Sequence, residues 1–180
     1  LEVALVGRRD RLEAEIAGHG GEHDAISIVH AEDVIEMDEA PAAAVRRKRG
    51  ASLVVAAGLH RSGEVDGLVS AGNTGAVVAA TLVSLGKLSG VRRPAIASLF
   101  PTVRESGVLI DVGACVDSRP NDLLTFATMG ATYARDVLGR RNPRVALMNI
   151  GEESHTGSEL TQPAHGLLSE SPLNFVGNIE

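Results

Sequence analysis

Aromatic residues are scarce in this chain of 180 residues: three Phe, one Tyr and no Trp. Its core must therefore be Val, Ala, Leu and Ile, which suits buried parallel strands covered by alanine-rich helices. A single cysteine, Cys115, excludes an internal disulfide and fits a reducing compartment. No apolar run reaches the roughly 18 residues that a membrane-spanning helix needs, and no signal-peptide pattern opens the chain. Positive charge is short as well, since 17 Lys and Arg against 23 Asp and Glu leave a formal charge of −6. That balance argues against a general nucleic-acid binder, which needs a broad basic surface to neutralise phosphates. Basic residues gather only locally, at Arg46, Arg47, Lys48 and Arg49, at Arg92 and Arg93, and at Arg140 and Arg141. No Walker A lysine follows a glycine loop and no G-x-G-x-x-G follows a strand, so a dinucleotide site of the usual kind is not expected.

What the chain does have is glycine, twenty in all, placed between apolar segments. The length suits one domain or a large piece of one. "LEVALVG" reads as a strand and turn, "ISIVHA" (26–31) as a short strand, and a helix is expected from about Pro41 to Leu59, with Pro41 in its first turn and Gly50 interrupting it. "VDGLVSAG" then reads as strand and "TGAVVAATLVSLGKL" as helix. "AIASLFPT" and "GVLIDVGA" are separated by too few residues for a parallel crossover, which predicts a hairpin or a bent continuation. An amphipathic helix is expected from about Pro120 to Leu138, with Gly139 at its end. "RVALMNIG" is a further strand, "SELTQPAHGLLSE" a helix weakened by Pro163, and "LNFVGNIE" a last strand. The alternation predicts an α/β fold with a mostly parallel sheet in one domain over residues 1–180. Strands at both chain ends suggest an incomplete domain.

In open α/β sheets ligands bind beyond the carboxyl ends of the strands. Three predicted strands end in Gly-bearing polar turns, "SAGNTGA", "DVGACVDSRP" and "NIGEESHTG"; in one parallel sheet all three fall on one edge and line one cleft. The first turn precedes a helix, so its backbone N–H groups and the positive end of the helix dipole suit an anion. The competing reading is that every such turn needs glycine whatever it binds. Cys115 follows a strand near a helix start that could lower its pKa and make it a nucleophile; a small residue in a tight turn explains it equally. His155 beside Glu152 and Glu153 could be a base or half of a metal site. Asp111 and Asp117 flank a glycine turn and either orient a substrate or cation, or cap the turn and the next helix. The cations Arg46 to Arg49 complement a helix C-terminus, or meet a phosphate or an acidic protein.

The segments "VIEMDEAPAAAVRRKRGASLVVAA", "VSAGNTGA", "RPAIASLFPT", "LIDVGACVDSRP", "FATMGATYARDVLG", "NPRVALMNIGEE" and "LNFVGNIE" together resemble the PlsX family of bacterial acyl-acyl-carrier-protein:phosphate acyltransferases, in that family's order and over nearly the whole chain. The resemblance implies a layered α/β/α fold of the isocitrate/isopropylmalate dehydrogenase type, a homodimer, and no cofactor or metal. It implies transfer of a fatty acyl group from acyl-carrier protein to orthophosphate, giving acyl phosphate for a membrane glycerol-3-phosphate acyltransferase, in the cytoplasm against the inner membrane face. Under it, phosphate binding falls to Ser70, Gly72, Asn73, Thr74 and Gly75, with Gly113, Asp117, Arg119, Arg46 and Arg47 as further binding residues. Asp111, Asn149 and Glu152 are candidates for orienting substrate or moving a proton. The chain departs from the family's pattern at Thr156, where a lysine is usual, at Cys115, where Asn is usual, and in lacking the opening "DAMGGD" strand and turn and a C-terminal part. The alternatives are a module that docks carrier protein without catalysis, and a dehydrogenase of the related fold acting on a small hydroxy acid.

Overall fold

A computed structural model describes residues 1–21, 24–103 and 105–180. They form two compact units, Leu1–Leu88 and Ser89–Glu180.

In the first unit β1 (Val3–Gly7) and β2 (Ile26–His30) pair in parallel across α1 (Arg9–Gly18). Sequence pattern does not point to α1, and the reason is physical: "RDRLEAEIAG" holds good helix formers but buries no residue, so it carries no apolar stripe to detect. The helix expected over 41–59 forms as two, α2 (Pro41–Arg47) and α3 (Ser52–Ser62). The break falls at Lys48–Ala51, where Gly50 is poor helix material and Ala51 instead makes a parallel bridge to Asp33. Next comes α4 (Thr74–Leu85). Alanines dominate the core, where Ala44, Ala51, Ala57, Ala76 and Ala80 surround Ile35, Val45 and Leu53. With so little side-chain volume the helix backbones lie close: a Cβ on Gly75 would stand 2.7 Å from Cγ of Pro41, so α2 and α4 could not keep this contact with any other residue there.

The strand expected over 65–72 does not form. Only Leu68 of that run packs on the core, while Val69 is fully exposed. Asp66, Gly67 and Gly72 are poor strand residues, and without a neighbouring strand the run has no ladder to join.

The second unit opens with the expected hairpin, β3 (Ala97–Phe100) antiparallel to β4 (Gly107–Ile110). It continues with α5 (Pro120–Asp136), β5 (Val145–Met148), α6 (Thr161–Ser169) and β6 (Phe175–Ile179). Pro163 does not break α6, because it lies in the first turn, where a backbone N–H has no helical acceptor. β5 and β6 pair in parallel with a register shift between Val145 and Leu147. Leu147, Ala164 and Leu168 form the core here, with Leu123, Leu124, Leu173 and Phe175 packed around them. The α/β class is as expected. The described strands, however, make three separate pairs, two parallel and one antiparallel, rather than one mostly parallel sheet. Since β4 and β5 sit in different pairs and no strand precedes "SAGNTGA", the expectation of three turns on one sheet edge is not met.

Candidate active site

The turn before α4 is built around Asn73, which is buried. Its Oδ1 accepts from the Ala76 N–H at 3.0 Å and so caps the helix. Its Nδ2 donates toward the carbonyls of Glu36, Met37 and Glu39, at 3.3, 3.2 and 3.4 Å. Asn73 thus ties the 36–39 loop to the helix start, and its own side chain is fully engaged. The N–H groups of Thr74 and Gly75 find no acceptor among the described residues, as expected of an open helix start. Both residues are exposed, as is Ser70, whose hydroxyl accepts from the Gly72 N–H at 3.2 Å and folds the approach to the turn.

Below this turn the 36–39 loop is held by charge. Glu39 takes Arg47 at 2.5 Å and Lys48 at 2.6 Å, and also accepts from the Glu36 N–H at 2.9 Å. The Lys48 ammonium, with the Glu36 N–H next, draws the Glu39 carboxyl below the usual carboxylate range. Of the two arginines proposed to bind, Arg47 is therefore occupied within the chain. Arg46 is exposed on the same helix end and has no partner among the described residues.

In the second unit both carboxylate oxygens of Asp111 face backbone N–H groups. Oδ1 accepts from Ala114 at 2.8 Å and Ile96 at 3.2 Å, and Oδ2 from Cys115 at 2.9 Å. Asp111 therefore clamps the 111–115 turn, which includes Gly113, onto the segment leading into β3. The Cys115 thiol donates to the Pro94 carbonyl at 3.3 Å, and burial with the Asp111 charge beside it pushes its pKa up. An activated thiolate needs the reverse, so the expected lowering is not found. Asp117 and Arg119 are exposed at the entry to α5. That entry is fixed by a residue the sequence did not flag: buried Asp122 accepts from the Arg119 N–H at 2.7 Å and forms a two-point ion pair with Arg92. The Arg92 guanidinium holds the Asp122 carboxyl below the usual range.

The loop after β5 is a second small scaffold. Asn149 donates from Nδ2 to the Thr156 carbonyl at 2.8 Å and accepts at Oδ1 from the Thr161 hydroxyl at 3.2 Å. Thr161 and Ser158 in turn cap each other's backbone N–H groups, at 2.8 and 3.2 Å, which starts α6. An open depression of about 320 Å³ lies against this knot, lined by Met148, Asn149, Ile150, Ser158 and Thr161. Glu152 and His155 are exposed on the loop. Glu153 accepts from the Thr156 hydroxyl at 3.1 Å, and its own backbone N–H with that hydroxyl lowers its pKa. Among the described residues no group of three or more His, Cys, Asp or Glu side chains is gathered as cation ligands, and no helix is long and apolar enough to cross a membrane. Asn178 of β6, also unflagged by sequence, donates to the Glu153 carbonyl at 2.8 Å. Its only sequence signal is a polar residue following glycine in an apolar strand.

These units belong to the α/β class seen in phosphotransacetylases. The enzyme from Streptococcus pyogenes superposes with a TM-score of 0.64 over 95% of this chain and 58% of its own, at 15% identity. EutD phosphotransacetylase from Staphylococcus aureus gives 0.53 over 99% and 68%, at 18% identity. At such identities the likeness speaks for the fold. The chain belongs to the family described as fatty acid synthesis protein, whose model matches residues 1–180. Over its whole length it is similar to curated phosphate acyltransferases, 50% identical to that of Heliobacterium modesticaldum and 45% to that of Bacillus licheniformis. It spans about half the length of these relatives, 54% in each case.

Proposed function

We propose that the protein transfers a fatty acyl group from acyl-carrier protein to orthophosphate. The observation that carries this is similarity at 45–50% identity, along the entire chain, to proteins named phosphate acyltransferase. The acyl thioester is already activated, so the reaction needs no enzyme nucleophile, in keeping with the raised pKa of Cys115. A phosphate oxygen attacks the thioester carbonyl carbon, the C–S bond breaks, and the carrier's thiolate leaves and takes a proton. The protein's work is to position phosphate against the carbonyl and stabilise the developing oxyanion.

In this reading the Thr74 and Gly75 N–H groups at the start of α4 receive phosphate, with Ser70 and Gly72 forming the approach and Asn73 holding the turn in shape. Within the second unit, taken by itself, Asn149 and Glu152 are candidates for orienting substrate or moving a proton, Asp111 keeps the 111–115 turn closed, and Asp117 and Arg119 are candidate substrate contacts at the entry to α5. Arg46 offers a cation to the acidic carrier protein. The finer fold expectation, a layered sheet of the isocitrate/isopropylmalate dehydrogenase type, belongs to the same proposal. So do a homodimer, and handover of acyl phosphate to a membrane glycerol-3-phosphate acyltransferase at the inner membrane face. The test is mass spectrometry of the full-length protein incubated with palmitoyl-acyl-carrier protein, with and without phosphate. Phosphate-dependent palmitoyl phosphate is the expected product; carrier protein bound without turnover would replace this reading with a docking module.

A further inference from the structure

Asn178 is 6% exposed in β6 and has one hydrogen-bonding atom, Oδ1, with no partner among the described residues. The amide orientation is fixed, because only its NH₂ can donate to the Glu153 carbonyl at 2.8 Å. The side chain reaches that carbonyl through a local irregularity of the strand pair. Val145 pairs with Phe175, but two residues on, Leu147 pairs with Asn178, three residues on. The extra residue is accommodated beside Gly177, at φ +100°, a conformation that side-chain-bearing residues rarely adopt. Bulges of this kind re-aim a side chain; here the one re-aimed lies under the loop that follows β5.

The carbonyl it holds also accepts from the Thr156 N–H at 3.0 Å, closing a four-residue turn from Glu153 to Thr156. The far end of that turn, the Thr156 carbonyl, is held by Asn149 at 2.8 Å. Two asparagines from adjacent parallel strands therefore grip opposite ends of one turn, Asn149 following β5 and Asn178 within β6. Glu152 immediately precedes this turn. A buried amide with an unpaired acceptor is a poor choice for stability alone, since a leucine of similar size would fill the space with no polar atom to satisfy.

We infer that Asn178 is a positioning residue for acyl transfer, acting through the Glu153 carbonyl to fix the 152–156 segment against the reacting thioester. The inference rests on the proposed acyltransferase activity. Its test is Asn178→Leu in the full-length protein, assayed for acyl phosphate formation with phosphate varied at saturating palmitoyl-acyl-carrier protein. The expected result is a melting temperature at or above that of the parent, a kcat lowered about tenfold or more, and a KM for phosphate within about twofold. Hydrogen exchange at residues 152–156 quickens, while β5 and α6 keep their protection. Should the leucine variant not fold, Asn178→Ala, which removes the donor without adding bulk or charge, carries the same expectation for kcat and exchange. Parental kcat in a folded variant overturns the inference and leaves the acyltransferase reading intact; absence of acyl phosphate from the parent protein overturns that reading and the inference with it.

Discussion

Asn73 and Cys115 show how little of a polar residue's role is fixed by its type. Asn73 gives its Oδ1 to the start of α4 and its amide hydrogens to the 36–39 loop, so its two halves can be separated by substitution. Asn73→Asp keeps the cap and loses the donors; Asn73→Ala loses both, with the cap alone worth about 0.5–2 kcal/mol. The melting temperature is expected to fall in both variants, further in the alanine. If phosphate is received at this helix start, KM for phosphate rises with it, and an unchanged KM in folded protein takes the turn out of the site. Cys115 leads to the opposite expectation. Its thiol is pushed up by burial and by Asp111, so it reacts slowly with iodoacetamide at neutral pH, and Cys115→Ser retains kcat within about twofold. Rapid labelling accompanied by loss of activity would show a working thiolate instead.

At the scale of elements, the start of α5 depends on one ion pair. Asp122 is buried and holds both Arg92 and the Arg119 N–H, so Asp122→Asn should cost about 1.5–3 kcal/mol, the range for hydrogen bonds to charged groups. Because its folded pKa is lowered, chiefly by Arg92, the stabilisation is fully present above the ordinary aspartate value of about 3.9 and is lost as pH falls through the folded pKa below it. Denaturant melts of parent and variant should differ by a constant amount from pH 5 to 7 and converge only in stronger acid; convergence already near pH 6 would assign the effect to another group. This pair also marks the limit of what could be read in advance. The amphipathic α5, the β3–β4 hairpin and the start of α4 at Thr74 were readable because period and turn residues are local signals. Arg92 and Asp122 lie 30 residues apart, and neither sequence neighbourhood names the other. The same holds for Asn73 and the 36–39 loop. Asn149 and the helix-start turn were found because glycines flag them, whereas Asn178 depends on a bulge that only the register reveals. The missing strand over 65–72 is the converse case, an apolar run whose fate was decided by the lack of a neighbour to pair with.

For the whole molecule, the proposed function raises the question of how a chain with a formal charge of −6 would approach an acidic carrier protein. Uniform attraction is not available, so encounter must depend on a local basic surface close to the contact, with like-charge repulsion acting from further away. The two respond differently to salt. At physiological ionic strength the screening length is about 8 Å, so distant repulsion is damped first while charges in near contact still interact. At the end of α2, Arg47 is neutralised by Glu39 and Arg46 is not, which makes Arg46 the side chain to change. Arg46→Glu should leave the unfolding free energy within about 0.5 kcal/mol of the parent, as for other exposed substitutions, and weaken binding of palmitoyl-acyl-carrier protein mainly through a slower association rate. With the charge at this helix end lowered by two, repulsion weighs more in what salt screens. The variant's association rate should therefore rise between 50 and about 300 mM NaCl, where the parent's falls or stays level. Stopped-flow association measured across that range distinguishes the cases: parallel salt curves for parent and Arg46→Glu would place the carrier-protein contact away from α2.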